Sequence, residues 1–322
     1  MELTLTEIAA RLKEKKSVAI FTHMRPDGDA FGSAFALSCA LDFLNIPNQV
    51  CVESDIPRNL AFVKGVEKIK KSPEREFDCL VCVDCSDEQR LGALSDLFLS
   101  AKRKKIATVN IDHHVSNTKY ADYNFVKNCS ANCMNLEQLI SYLCPLNQEI
   151  AEYLLIGLLT DSGNFSHDDV TEETFLLAAK LVAAGADVRY YNENLFKKQP
   201  KARATLYAKV MSKIRYAFDD RFAVITVSQK EIEECNADPT MTEGFVDFPL
   251  SVDGVEVAAS LLEVKKRQYK VSLRSKTYAD VNKIAGKYGG GGHVRAAGCM
   301  LFGELEEVLD KLSYTVSQYL ED

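Results

Sequence analysis

Ile106-Ala107-Thr108-Val109-Asn110-Ile111-Asp112-His113-His114 begins as a nearly unbroken apolar run and ends in a carboxylate and two imidazoles. A run apolar on almost every position suits a strand buried on both faces, as in a parallel sheet. Two earlier stretches have the same character, Ser17 to Phe21 (SVAIF) and Cys79 to Val83 (CLVCV). Helical periodicity lies around them, over Ala30 to Leu44, Asn132 to Leu143, Glu149 to Leu159 and Thr171 to Ala184, the last closed by Gly185. Strands alternating with helices predict an α/β domain, a mainly parallel sheet flanked by helices.

The pattern changes after the polar stretch Tyr190 to Arg203, which reads as a connection running into a helix over Ala202 to Ile214. Beyond it, Arg221 to Val227, Val255 to Val264 and Gln268 to Arg274 read as strands, the last two a hairpin around Lys265, Lys266 and Arg267. Glu304 to Tyr319 reads as a closing amphipathic helix, with Leu305, Val308, Leu309, Leu312 and Val316 along one side. A chain of 322 residues exceeds the ~250–300 at which one core stops growing. The expected division is residues 1–190, a linker helix over 191–210, and a smaller α/β domain over 211–322.

Hydrophobic residues make up 47% of the chain and charged residues 26%, which excludes a disordered polymer. The longest apolar stretch, Leu154 to Leu159, is far short of the ~20 residues of a membrane span. The opening residues lack the apolar core of a secretory signal. Ten cysteines then point to a reducing compartment, so a cytoplasmic protein with no membrane partner is expected. Cys79, Cys82 and Cys85 mimic a metal loop, but they fall in or beside a strand-like run and read as buried packing. The net charge of −7 lacks the basic footprint of a protein that grips long duplex nucleic acid. A short nucleotide remains open, because bound cations add positive charge that a residue count omits.

Each early strand ends in groups that a cation would attract. Phe21 is followed by Thr22-His23-Met24-Arg25-Pro26-Asp27-Gly28-Asp29, Val83 by Asp84, and Ile111 by Asp112-His113-His114. Asp161 stands where another apolar helical run stops. Ligand sites in open α/β sheets form beyond the carboxyl ends of the strands, so these clusters should converge. Crowded carboxylates repel and take up protons unless a cation intervenes. The set is too large for one tetrahedral zinc and fits a pair of divalent ions, Mn²⁺ first, with Mg²⁺ and Co²⁺ as the other candidates. Such pairs serve in-line displacement at phosphorus. Taken singly, HxxxD is often a turn with a helix cap and DHH a polar loop; together they are hard to dismiss. Gly289-Gly290-Gly291-Gly292-His293 is the second signal. Glycines allow backbone amides to approach an anion, although a hinge is the plainer reading of glycines alone.

These motifs together resemble the DHH phosphoesterase family with a C-terminal DHHA1 domain, in its NrnA-type branch of bifunctional oligoribonucleases and pAp phosphatases. The resemblance rests on DHH at Asp112 to His114, HMRPDGDAFGS at His23 to Ser33, VDCSD at Val83 to Asp87, LLTDSGNF at Leu158 to Phe165, and GGGGHVRAAG at Gly289 to Gly298. It implies that His23, Asp27 and Asp84 hold one metal, and that Asp29, Asp84, His113 and Asp161 hold the other, with Asp84 bridging. Asp112 would orient an imidazole, and His114 would face the scissile phosphate as donor or acid. Gly290, Gly291, Gly292 and His293 would grip the substrate, with Arg274 and Ser275 as further contacts; a solvated strand end is the other reading of Arg274. The active site would lie in the cleft between the domains. The run of four glycines is longer than the usual three and shifts the register of that loop, and His167 is read as a surface residue near the cleft.

The expected activity is two-metal hydrolysis of short oligoribonucleotides or dinucleotides such as pApA to mononucleotides, and of pAp to AMP. A cyclic dinucleotide phosphodiesterase and a non-catalytic nucleotide sensor are the alternatives. A family II pyrophosphatase would offer clustered Lys and Arg instead of a glycine-histidine segment, and a RecJ-like processive nuclease fits the length and acidic balance less well. The partner is a short RNA or nucleotide, and a homodimer is one state open to the chain.

Overall fold

A computed structural model describes residues 1–320. The chain forms two compact units, Met1–Lys198 and Gln199–Asp322. In the first, the elements run α1 (Leu5–Lys13), β1 (Val18–Phe21), α2 (Gly28–Phe43), β2 (Asn48–Cys51), β3 (Cys79–Val83), α3 (Leu94–Arg103), β4 (Ala107–Asp112), β5 (Tyr123–Val126), α4 (Asn132–Ser141), α5 (Gln148–Asp161), α6 (Glu172–Ala183) and α7 (Val188–Asn192). The sheet order is β2-β1-β3-β4-β5, and every pairing is parallel.

The apolar runs are continuous because both sheet faces are covered. Val18 and Ile20 of β1 join a core shared with α1, α2, α4 and α5, while Ala19 and Phe21 point the other way, into a core shared with α3. The chain leaves β1 for β2 on one side and returns through β3 on the other. That reversal is the switch point of a doubly wound sheet, where the carboxyl ends of neighbouring strands open a crevice. Edge strands β2 and β5 carry polar residues and are half-exposed, so they lack the apolar signature of the central strands.

Helices α2 and α5 pack unusually close. A Cβ on Gly32 would sit 2.4 Å from the Tyr153 carbonyl oxygen, and one on Gly157 would come within 2.6 Å of Asp29 Oδ1. The missing side chains therefore let Asp29, in the first turn of α2, sit directly against α5, which ends at Asp161.

The second unit contains α8 (Lys201–Met211), β6 (Arg215–Ala217), β7 (Phe222–Val227), α9 (Gln229–Glu234), α10 (Asp247–Ser251), β8 (Val257–Lys265), β9 (Gln268–Ser275), α11 (Val281–Gly286), β10 (Gly291–His293), β11 (Ala296–Phe302) and α12 (Leu305–Ser317). Its sheet order is β10-β11-β9-β8-β7-β6. Only β7 and β8 pair in parallel, so this sheet is mixed. The β8–β9 hairpin turns at Arg267, which adopts φ +62°. One core packs β7, β8, β9 and β11 against α11 and α12, and a smaller one packs β7 and β8 against α8 and α9.

The glycine run is not an open loop throughout. Gly291 to His293 form the short edge strand β10, paired with β11. A Cβ on Gly290 would lie 2.2 Å from the Gly298 carbonyl oxygen, and one on Gly292 would lie 2.4 Å from that of Ala296. Glycine is needed there for β10 to reach β11, independently of any ligand. Cys79, Cys82 and Cys85 are buried free thiols. No helix among the described residues is long and apolar enough to cross a membrane.

Candidate metal centre

Beyond the ends of β1, β3 and β4 the expected acidic and imidazole groups share one basin. His23 follows β1, Asp27 caps α2, and Asp29 lies in its first turn; Asp84 follows β3, Asp112 ends β4, and Asp161 ends α5. Among the described residues, three groups place ligand atoms within 4.8 Å of one another: His23, Asp27 and Asp84; Asp29, His113 and Asp161; and Asp84, His113 and His114. Asp84 stands at the centre. Its Oδ2 is 3.6 Å from His23 Nε2, and its Oδ1 is 3.4 Å from His113 Nε2. His23 Nε2 also lies 3.8 Å from Asp27 Oδ2, and His113 Nε2 lies 3.3 Å from Asp161 Oδ2.

Each of these groups is aimed from behind. His23 Nδ1–H donates to the Met24 carbonyl at 2.9 Å, and His113 Nδ1–H donates to the Cys129 carbonyl at 2.8 Å. Both rings therefore turn Nε2 toward Asp84, the orientation that a metal ligand requires. Asp27 uses Oδ1 to accept the Asp29 and Ala30 amides, each at 3.0 Å, which leaves Oδ2 facing His23. The Asp29 carboxylate accepts the backbone amides of Asn132 and Cys133 at the start of α4. It is thus held by a helix N-terminus, where negative charge is favoured. Asp161 is oriented through its backbone, since the exposed His167 donates Nδ1–H to its carbonyl at 2.7 Å.

A carboxylate basin of this kind is electrostatically incomplete. Asp84 Oδ1 is buried and has no hydrogen-bond partner among the described residues. Burial and the neighbouring carboxylates Asp29 and Asp84 push Asp161 up to about 8. Burial and Asp84 push Asp29 up to about 7. His113 rises to about 10: burial opposes the charge, but the facing Asp84 carboxylate and the charge of Asp29 overcome it. The groups hold protons where they would otherwise repel, which is the cost that a pair of divalent cations removes. An orphaned buried oxygen and two inward Nε2 atoms, able to coordinate once their protons leave, fit such cations.

Asp112 and His114 form a separate pair. Asp112 Oδ1 accepts His114 Nδ1–H at 2.8 Å, and Asp112 Oδ2 accepts an Asn117 amide proton at 2.6 Å. The first bond orients the ring through Nδ1, and His114 Nε2, on a side chain 32% exposed, makes no hydrogen bond or ion pair among the described residues. Asn117, which the sequence reading did not single out, points inward at Asp112. The signal that could have exposed it is its place five residues after Asp112 in the same turn.

The second unit arranges its expected contacts less tightly. Arg274, Ala296 and His293 occupy directly opposed positions on β9, β11 and β10. Opposed residues of antiparallel strands share a face, so Arg274 and His293 flank Ala296 at ~10 Å across two strand spacings. Arg274 lies 3.9 Å from Asp247, and His293 is exposed. Ser275 alternates to the opposite face, where it is buried with its hydroxyl donating to the Ala279 carbonyl at 2.6 Å. The structure does not bring it beside Arg274. The amides of Gly290 and Gly292 donate to Ala285 O and to Asn282 Oδ1.

Comparisons with known proteins agree with this architecture. The DHH family N-terminal domain matches residues 17–158, and the DHHA1 domain matches residues 219–322. The bifunctional oligoribonuclease and PAP phosphatase NrnA of Thermus thermophilus is 29% identical over 309 residues, covering 94% of this chain and 90% of the relative. The probable bifunctional oligoribonuclease and PAP phosphatase NrnA of Streptococcus mutans is 27% identical, covering 95% and 96%. The crystal structure of an exopolyphosphatase-related protein from Bacteroides fragilis superposes with a TM-score of 0.87 at 24% identity, covering 98% of this chain and 96% of that one.

Proposed function

We propose, from the premise that this chain has the DHH/DHHA1 domain architecture matching the NrnA-type bifunctional oligoribonuclease and PAP phosphatase family, that it hydrolyses phosphoester bonds in short oligoribonucleotides and in pAp. The observation that carries this reading is the central Asp84, with an oxygen facing each inward-pointing imidazole. His23, Asp27 and Asp84 would hold one divalent cation and Asp29, Asp84, His113 and Asp161 the other, with Mn²⁺ the proposed native ion. When bound, such a pair acidifies the attacking water and offsets the charge that builds on the phosphoryl oxygens.

The remaining work falls to side chains. Asp112 fixes the His114 ring with Nδ1 protonated, so an imidazolium at this position donates from Nε2 to a phosphoryl or departing oxygen. Arg274 and His293 are the proposed contacts to the nucleotide and its phosphate. Gly290, Gly291 and Gly292 keep side chains away from the path of approach. Ser275 is left to brace the following loop.

The test is a substrate panel with separated products. Chelator-stripped chain, reloaded with Mn²⁺, Mg²⁺ or Co²⁺, is given pAp, pApA, RNA of two to five nucleotides and cyclic dinucleotides. Mononucleotide release from pApA and short RNA, AMP release from pAp, and no turnover without added ion are the expected results. Metal uptake without turnover of any of them would instead support the sensor alternative, and hydrolysis confined to cyclic dinucleotides would support the other.

A further inference from the structure

Behind the metal basin, three side chains close on one carbonyl. The Cys85 oxygen lies 3.1 Å from Asn110 Nδ2, 3.2 Å from Asn117 Nδ2 and 3.2 Å from the Tyr120 hydroxyl. Cys85 follows Asp84, which adopts φ +54°. Left-handed backbone is unfavourable for a residue with a Cβ and persists where its surroundings impose it. Asp84 is pinned on both sides, because its own N–H donates to the Ile111 carbonyl at 3.1 Å.

The same cluster reaches the other half of the centre. Asn117 Nδ2 lies 2.6 Å from Asp112 Oδ2 and 2.8 Å from Asn110 Oδ1. An amide carries only two protons, so when Asn117 serves Asp112 and Asn110, the Cys85 carbonyl is left to Asn110 and Tyr120. Asn110 is fully buried, and the Tyr120 ring packs 5.1 Å from that of Phe98, which gives the network a rigid footing.

We propose that Asn110, Asn117 and Tyr120 are positioning residues that set the backbone of Asp84 and the orientation of His114 as one unit. The proposal rests on the two-metal reading above. It divides the cluster into two arms. Tyr120 acts on Asp84 through Cys85, and it accepts Asn110 Nδ2–H at 3.2 Å but makes no direct bond to Asp112 or His114 among the described residues. Asn117 acts on Asp84 through Asn110, and on His114 through Asp112.

The experiment is a calorimetric Mn²⁺ titration of the chelator-stripped full chain, paired with kcat and KM on pAp. Asn117→Leu is expected to lower Mn²⁺ affinity and kcat by about 10–100-fold each, the scale on which partners behind metal ligands act, with KM changed by less than about threefold. Tyr120→Phe should weaken Mn²⁺ binding by a smaller factor and leave kcat at saturating Mn²⁺ unchanged. Thr108→Val is the control, because Thr108 shares β4 with Asn110 but its hydroxyl bonds Asp122, just before β5, so the change should move neither readout. Affinity and kcat both within about twofold of wild type in a folded Asn117→Leu chain would overturn the proposal. So would an equal loss in Thr108→Val. If Asn117→Leu does not fold, Asn117→Ser and Tyr120→Phe carry the same comparison. Wild-type chain that binds Mn²⁺ but turns over no nucleotide sinks the hydrolase reading, while the calorimetric arm still decides whether the network positions Asp84.

Discussion

The two candidate surfaces are built on opposite plans. In the first unit almost every candidate ligand is gripped from behind: His23 and His113 by carbonyls, Asp29 by a helix N-terminus and Asp27 by amides, while Asp112, behind His114, is held by Asn117. In the second unit Arg274 and His293 stand on one sheet face near its edge, partly or fully exposed, and Arg274 is held by the carbonyl of its neighbour Leu273 at 3.0 Å and by a carboxylate no nearer than 3.9 Å. The candidate metal centre is preorganised, and the candidate recognition surface is more open to solvent. A cation pair demands fixed geometry, whereas nucleotides of several lengths demand tolerance.

The widest test of that contrast is Asp84→Ala. It should reduce kcat/KM on the order of 10³-fold or more and lower the measured metal stoichiometry, with an unchanged circular dichroism spectrum. Retained turnover would show that the centre of the basin had been misassigned.

A second test uses protons. In the metal-free chain Asp29 is held at about 7, Asp161 at about 8 and His113 at about 10, all above their ordinary values. Cations must displace those protons, so binding releases protons and affinity rises with pH from about 6 to about 10. Calorimetry in buffers of different ionisation enthalpy counts the release. An affinity flat across that window would mean that these groups do not contact the ions.

Smaller effects belong to the second unit. Arg274→Ala should raise KM for pAp about tenfold, equivalent to ~1.4 kcal/mol, with kcat within about threefold of wild type. A fall confined to kcat would move Arg274 into the preorganised class and blur the comparison. Lys270→Ala is the finest probe. Lys270 lies four residues along β9 from Arg274, ~13 Å away on the same face, so KM for pAp should change by less than about twofold. A larger change would extend the recognition surface well along the strand.

Much of this was legible in the residues because the central strands and the ligands obey the same rule. β1, β3 and β4 announce themselves by continuous apolar runs, and the ligands follow where those runs stop. Edge strands escape that rule: β2 reads Asn-Gln-Val-Cys, with half its residues facing solvent. Helix α1 went unread although Thr4 and Glu7 form a reciprocal cap, a spacing that marks a helix start. What braces the ligands was hidden for a different reason. The carbonyls of Met24 and Cys129 and the amides of Asn132 and Cys133 belong to the backbone, which any residue could supply. The glycine run misled in part, because its first demand is the close approach of β10 to β11.

The ten cysteines have a practical meaning. Eight are buried and two, Cys39 and Cys129, are half-buried; burial pushes Cys39, Cys51, Cys79, Cys85 and Cys129 up to about 12. Thiols so placed are inert toward alkylating reagents until the chain opens. Pulse labelling followed by mass measurement would therefore count opened molecules directly, and would show whether Mn²⁺ closes the first unit while leaving Cys235 and Cys299 of the second at their metal-free rate.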